Sequence, residues 1–320
     1  MADSVVAQPL PPAELPDFPV GPIPLLGGNI PRPLNTVSVN PTPIRPVRFN
    51  DSSDIINDDE VDPAERRRFE GFPTSLLWEP MLANRRDPRF AMSFHNTDSF
   101  FTRRTADSEI GNTLGIIRWQ SSDSAMLWEV DIFGKVMVRF SDANYHIAED
   151  YRAGVPITYK SGNLVSKFGW EHTSTHIGDD TRELLGRRNI KWEKDEFVWA
   201  MGYLFDNQFR LYGQAGFAAF GQRVDGIEPQ RWRFDIGYDW YNRASTGPKG
   251  QPFSAFHCEL AGTNQYVPNF TFQIGWMWKT IDRRLSQLRV YAEFYDGRSQ
   301  YGQLFRDRER YAGFAIALDY

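Results

Sequence analysis

Between Ala125 and Phe140 the chain alternates apolar residues with charged ones. Aromatic and β-branched residues occupy most of the alternate positions in this stretch, and the positions between them include Glu129, Asp131 and Arg139. A period of two predicts a β-strand whose two faces differ in polarity. Burying the charged face in a dry core would cost free energy, so that face must contact water or charged partners.

The same alternation recurs as far as the C-terminus, in about twelve segments. Several apolar faces begin or end with Trp or Tyr, which is typical of strands that meet both interfaces of a membrane. Aromatic residues form 15% of the 320 residues and charged residues 24%, and the mean hydropathy is -0.50. We therefore predict an all-β fold, a transmembrane antiparallel β-barrel of about 12 strands. A soluble β-sandwich or lipocalin-type barrel is the alternative, because periodicity alone does not tell the inner face from the outer one.

The lengths of the connections between the segments favour the membrane barrel. A barrel with an even number of strands alternates short turns at one end with longer loops at the other. The predicted short connections are 121–124, 161–163, 206–208 and 280–286. The predicted long connections are 98–111, 178–194, 222–230 and 296–308, and the connection 242–252 is too long for the turn that its position requires.

The last strand, from Glu309 to Tyr320, has the form expected of a strand that closes such a barrel. Apolar residues at alternate positions lead to an aromatic residue at the final position, in the series Phe314, Ile316, Leu318 and Tyr320. We predict that these residues form an assembly signal and that the barrel-assembly machinery is a partner. We also predict that this strand pairs with the one that begins near Phe90.

The first part of the chain differs in composition. Residues 1–50 hold 12 of the 21 prolines, and such a segment forms neither a helix nor a sheet ladder of any length. We predict that residues 1–71 are a largely disordered, proline-rich and charged periplasmic leader, and that residues 72–320 form the barrel. Phe72 to Pro88 is apolar and broken by proline, which predicts an ordered strap ahead of the barrel.

Several further properties bear on location and partners. The N-terminus has no basic region followed by an apolar one, so we expect that a signal peptide is missing or trimmed from this sequence. No apolar run reaches the roughly 18 residues of a membrane-spanning helix. The net charge of -5 gives no reason to expect nucleic acid as a partner, and the single cysteine, Cys258, excludes an intramolecular disulfide. We predict a protein of the bacterial outer membrane whose partners are outer-membrane lipids, and its oligomeric state is left open.

One predicted strand carries residues suited to chemistry, in the sequence FGWEHTSTHIGDD from Phe168 to Asp180. On a strand, His172 and Ser174 share a face about 6.6 Å apart, which suits a base and a nucleophile for acyl transfer. His172 and His176 would lie about 13 Å apart on the same strand, too far to share a metal ion, so no metal site is predicted. The simpler interpretation is that these polar side chains face lipid headgroups or pair with loop carboxylates.

The charged faces of the predicted strands form a second candidate site. A ring of charges can line a selective channel. In a narrow barrel, acidic and basic side chains in near balance can instead pair across the lumen and close it. The predicted lumen charges are Glu129, Asp131, Arg139, Arg152, Arg210, Arg231, Arg233, Asp235, Asp239, Arg289 and Glu293.

Two resemblances to known families add to these predictions. The order His172, Thr173, Ser174 and the strand count resemble outer-membrane phospholipase A and, more loosely, the lipid A deacylases. That resemblance implies His172 as base and Ser174 as nucleophile, with calcium as a cofactor only in this case. The phospholipase also needs an orienting Asn and a different sequence after the Ser, and no third member is identifiable here. The residues that could serve are Asn189, Glu193 and Asp195.

The second resemblance covers residues 72–320. The stretches FPTSLLWEPMLANRRDPRFAMSF and GWEHTSTHIGDD, followed by an aromatic C-terminus, are similar to the bacterial domain-of-unknown-function family 1207. This resemblance implies an outer-membrane barrel and brings no activity with it. From the sequence we expect a narrow pore or a structural protein of the envelope, without a cofactor. The alternative is a lipid-ester hydrolase of the phospholipase or lipid A deacylase type that uses His172 and Ser174.

Overall fold

The computed structural model describes residues 69–99, 102–120, 126–221, 230–279 and 287–319. Several predictions therefore lie outside the described residues. These are the disorder of the leader over residues 1–68, the two short connections 121–124 and 280–286, most of the connection 222–230, and the terminal Tyr320.

In the described part of the chain, thirteen antiparallel strands form one sheet. They are β1 (Phe69–Gly71), β2 (Phe90–Thr97), β3 (Arg104–Gln120), β4 (Met126–Ser141), β5 (His146–Ser161), β6 (Leu164–Ile177), β7 (Glu193–Phe205), β8 (Phe209–Gly221), β9 (Trp232–Trp240), β10 (Gln251–Ala261), β11 (Pro268–Lys279), β12 (Gln287–Arg298) and β13 (Arg308–Asp319). One α-helix, α1 (Asp179–Leu185), lies between β6 and β7. Within the described ranges, no helix is long and apolar enough to cross a membrane.

The strands from β2 to β13 close into a barrel. Each of them pairs with the next along the chain, and β13 returns to pair with β2 in a register that sets Phe314 opposite Phe94. The extra strand β1 pairs with the far end of β3, where Gly71 lies opposite Ile117. The predicted fold class, the count of about 12 barrel strands and the closing pair are confirmed.

The two ends of the barrel differ, and we call them the turn end and the loop end. β2 begins and β13 ends at the turn end, where residues 162–163 and 206–208 are tight connections. Residues 178–192 and 299–307 are connections at the loop end. The order predicted from the sequence therefore holds for these connections.

The predicted long loop 98–111 is wrong. β3 begins at Arg104, so the connection is only 98–103. The inward positions here carry Asp107 and Glu109, whereas the outward positions carry Ala106 and Ser108. Because these outward residues are small, the alternation has too little contrast to indicate a strand. The connection 241–250 is long, as predicted, and contains a short 3-10 helix.

The two faces of the barrel have opposite chemistry. The charged residues of the alternating pattern point into the lumen, where Glu129, Asp239 and Arg289 are fully buried. Large apolar side chains cover the outer face, among them Met92, Ile132, Trp199, Ile236, Ile274, Val290 and Ile316, all well exposed. A barrel that is apolar outside and polar inside is built to stand in lipid.

Candidate functional site

The segment between β1 and β2 lies inside the barrel. We call residues 72–89 the plug. The sequence predicted residues 72–88 as an ordered strap ahead of the barrel, but the structure places the apolar side chains from Leu77 to Leu82 in the lumen, where Met81 and Leu82 are almost completely buried. Leu82 belongs to a cluster with Phe253 and Met277 of the barrel wall.

The plug runs from the turn end into the loop-side half of the lumen and returns. Near the turn end, the amide of Leu77 donates to the Glu129 carboxylate at 2.8 Å. At the tip, Arg85 donates to Glu109 at 2.9 Å and to Asp107 at 2.8 Å, close to the loop end of β3. The chain then turns back to reach β2. The plug therefore extends along much of the lumen.

Charged side chains of the wall bind the backbone of the plug directly. The Leu82 amide donates to Asp239 at 3.1 Å, and Arg210 donates to the carbonyls of Glu79 at 2.6 Å and Pro80 at 2.8 Å. Lys135 donates to the carbonyl of Asp87 at 2.9 Å. A segment without regular secondary structure needs such partners, because its buried amides and carbonyls have no ladder to join.

Arg89 holds the fold of the plug from inside. Its guanidinium is almost completely buried and donates to the carbonyls of Leu82 at 2.6 Å and of Met81 and Asn84 at 2.9 Å. Its Nε lies 3.6 Å from the Asp319 carboxylate at the end of β13. One side chain thus ties three plug carbonyls to the strand that closes the barrel.

Glu79 fastens the plug at the turn end. Its carboxylate accepts hydrogen bonds from Tyr241 at 2.6 Å, Arg243 at 3.1 Å and Lys279 at 3.3 Å. Burial by itself would raise the pKa of Glu79, but the positive charges of Lys279, Arg243 and Arg210 outweigh it and lower that pKa from 4.5 to about 2. The carboxylate is therefore ionised at neutral pH.

A second segment covers the lumen at the loop end. We call residues 299–307, which connect β12 to β13, the cover. Tyr301 and Leu304 are buried against Met137 and Ile147. The amide of Gly302 donates to Asp150 at 3.1 Å, so the cover is hydrogen bonded to the wall.

The predicted lumen charges form ion pairs rather than a ring of free charge. Arg139 contacts Asp107 at 2.8 Å and Glu309 at 2.5 Å. The other pairs are Arg118 with Glu129, Arg152 with Glu171, Arg210 with Asp239, Arg233 with Asp235 and Glu196, and Arg289 with Asp319. Asp131 accepts from Thr158, and Glu293 accepts from Gln273 and Tyr311. Arg231 precedes β9, and its exposed side chain donates to the carbonyl of Ala219 at 3.4 Å.

His172 and Ser174 lie on the outer face of β6, towards the loop end. His172 Nδ1 is 2.9 Å from Asp195 Oδ1, across the strand pair β6 and β7. Among the described residues, no hydrogen bond joins the Ser174 hydroxyl to another group. Asn189 is exposed and lies outside the strands, and Glu193 lies opposite Ser174 in the register. Of the three residues that could have oriented the histidine, the structure brings Asp195 to it.

Metal-binding groups are not brought together in the described part of the chain, where no cluster of three His, Cys, Asp or Glu residues is placed to hold an ion. His176 packs against the ring of Tyr151, with 5.8 Å between ring centroids. The nearest signal for the plug in the sequence is the run ANRRDPRF, where three arginines interrupt an apolar stretch. Buried arginines need carboxylates, and the lumen-facing positions supply them.

The closed barrel, its apolar outer face and its filled polar lumen define a β-barrel membrane protein. The model of the family described as "Protein of unknown function (DUF1207)" matches residues 67–320. The chain belongs to this family. Comparison with curated protein sequences gives no match.

The fold is similar to that of solved outer-membrane barrels. Outer membrane phospholipase A from Escherichia coli superposes with a TM-score of 0.51 at 9% identity, over 72% of this chain and 96% of that one. The calcium-bound dimer of the phospholipase from Salmonella typhi gives a TM-score of 0.50 at 10% identity, over 72% and 90%. The KdgM porin in complex with disordered oligogalacturonate gives 0.42 at 7% identity, over 72% and 99%. At these identities the likeness concerns the fold alone.

Proposed function

We propose that this protein is a closed barrel of the bacterial outer membrane and serves as a structural component of the envelope. The observation that carries the proposal is the plug, which occupies the lumen and is bound by the charges that would otherwise line a channel. The cover adds a second obstruction at the loop end. Of the two roles expected from the sequence, a structural protein therefore fits better than a narrow pore.

Location follows from the same features. The apolar outer face needs lipid, and a closed β-barrel is one of the two structures that satisfy backbone hydrogen bonds in a bilayer. The alternate apolar residues of β13, Phe314, Ile316 and Leu318, fit recognition by the barrel-assembly machinery. Fractionation of cells tests the location, since a protein recovered from the soluble fraction would contradict it.

Conductance tests whether the barrel is closed. The full chain reconstituted in planar bilayers should show no steady current. The double variant Arg85→Gln and Arg89→Gln should show transient openings, because both changes remove charges that hold the plug. Arg182→Gln, on the exposed helix α1, is the matched control and should stay silent. A steady current through the unaltered protein would mean that the lumen is an open pore.

A second function is favoured by one observation, the contact of His172 with Asp195. A carboxylate on Nδ1 fixes the ring so that Nε2 can accept a proton. In this candidate function, His172 takes the proton of the Ser174 hydroxyl while the Ser174 oxygen attacks a lipid ester carbonyl. The alcohol of the lipid leaves with the proton from His172, and the acyl group stays on Ser174. Water then hydrolyses this acyl-serine and releases the fatty acid. The outward position at the loop end is where an ester of the outer leaflet can reach these groups.

The hydrolase is tested with phospholipid and lipid A substrates, each with and without calcium. Ser174→Ala should lower turnover about 10³-fold or more, and Asp195→Ala should lower it strongly as well. Ser166→Ala is the control, since Ser166 is on the same strand but bonds to the carbonyl of Ala200. If the unaltered protein releases no fatty acid under any condition, this second function is excluded.

A further inference from the structure

The outer face of the barrel contains a groove of about 550 Å³ near the loop end, across β2, β3, β12 and β13. It arises from the cross-strand register, which sets an alanine beside each of three phenylalanines. The pairs are Phe94 with Ala106, Phe314 with Ala292, and Phe294 with Ala312. The small side chains form the floor and the exposed rings form the walls. A groove of this shape accepts a chain of methylene groups.

The loop side of the groove is polar. Arg104 lies opposite Asn96, two residues beyond Ala106 and therefore about 7 Å further towards the loop end. Its side chain is exposed, and within the described ranges no carboxylate or other group is bonded to its guanidinium. Asp142 also lines the groove, but its Oδ1 accepts from the Thr102 hydroxyl at 2.9 Å. Asn144 adds a second amide to the lining of the groove.

We propose that this groove is a binding site for a phosphorylated lipid, and that the lipid is the phosphoglycolipid of the outer leaflet, lipid A. An acyl chain fills the groove between the phenylalanine rings. Arg104 binds a phosphate, for which a planar guanidinium with several donors is well suited. Asn96 and Asn144 offer donors and acceptors to the sugar hydroxyls that lie beside the phosphate. The assignment to lipid A rests on the proposed outer-membrane location. In such barrels the short turns face the periplasm and the longer loops face outward, so the loop end lies in the outer leaflet.

The site is tested by native mass spectrometry of the delipidated full chain in detergent, with lipid A added. The unaltered protein should retain one tightly bound lipid A. Arg104→Gln should weaken binding about tenfold, because one charge-assisted contact to phosphate is lost. Arg231→Gln is the matched control, since Arg231 is also exposed near the loop end but lies on another part of the barrel. Equal losses in both variants would show that charge is attracted without a site.

A second variant tests the groove itself. Ala312→Phe fills the floor and keeps Arg104, and it should reduce binding of lipid A to a similar extent. Heat-modifiable migration on a gel confirms that both variants fold. If dephosphorylated lipid A or phosphatidylglycerol binds as well as lipid A, the assignment is overturned. None of these outcomes depends on conductance, so the closed barrel and the lipid site can fail separately.

Discussion

Arg89 shows how a single residue stabilises a segment that has no regular secondary structure. A buried arginine can donate five hydrogen bonds in a fixed plane, so it can bind several carbonyls at once. Here three of the acceptors belong to the plug, and a fourth contact reaches Asp319. The plug thereby keeps one shape even though its backbone forms no ladder.

Replacing Arg89 should therefore destabilise the protein. Arg89→Met keeps much of the apolar stem but removes three buried hydrogen bonds to plug carbonyls, and it removes the positive charge near Asp319, which Arg289 still contacts. We expect the free energy of unfolding to fall by about 3 kcal/mol. Urea unfolding in detergent, followed by tryptophan fluorescence, measures the change. Arg182→Met on the exposed helix α1 should change stability by less than about 0.5 kcal/mol, and a similar loss in both variants would contradict this role for Arg89.

Glu79 predicts a dependence of stability on pH. Its pKa is lowered in the folded protein from 4.5 to about 2, so the folded state favours the ionised carboxylate. The stabilisation is fully present above the unfolded pKa and is lost as pH falls through the folded one. Between about pH 5 and pH 2, the melting temperature should fall less in Glu79→Gln than in the unaltered protein. Parallel profiles in the two proteins would show that Glu79 does not fasten the plug.

At the scale of elements, the barrel strands were predictable where their outward residues are large. β9 alternates aromatic residues with Arg233, Asp235 and Asp239, and its position follows from that contrast. The prediction missed the first part of β3, because the small residues Ala106 and Ser108 face outward there and the sequence pattern resembles a loop. Ala106, one of these small outward residues, also lines the groove proposed to bind lipid. The strand prediction thus failed at a place where the outward side chains are smaller than on the rest of the outer face.

The closing pair of strands is open to a direct test by disulfide formation. Ser93 and Ala315 lie opposite each other in the register and both point into the lumen. In a background with Cys258→Ala, the variant Ser93→Cys with Ala315→Cys should form a disulfide on oxidation, seen as altered migration after boiling. Ser93→Cys with Phe314→Cys places the two thiols on opposite faces and should not. Equal cross-linking in both pairs would contradict the register.

At the scale of the whole molecule, the sequence predicted the barrel but not the plug that fills its lumen. Alternation of side chains sets which residues face the lumen, because a strand has a fixed period of two. The plug has no period, and its position depends on contacts such as Arg85 with Asp107, between residues far apart in the chain. The same limit applies to the outer site. His172 and Ser174 were visible as a pattern, whereas Asp195 could be chosen among three candidates only through the register of β6 and β7.

The account depends on a lumen that the plug occupies. Hydrogen exchange of the full chain in lipid nanodiscs measures this most directly, because it reports whether the amides of Leu77 and Leu82 are held by the wall carboxylates Glu129 and Asp239. We predict that peptides covering residues 77–87 exchange about as slowly as those of β9. Exchange of these peptides within seconds, beside protected barrel strands, would show that the plug does not fill the lumen and would contradict the closed barrel.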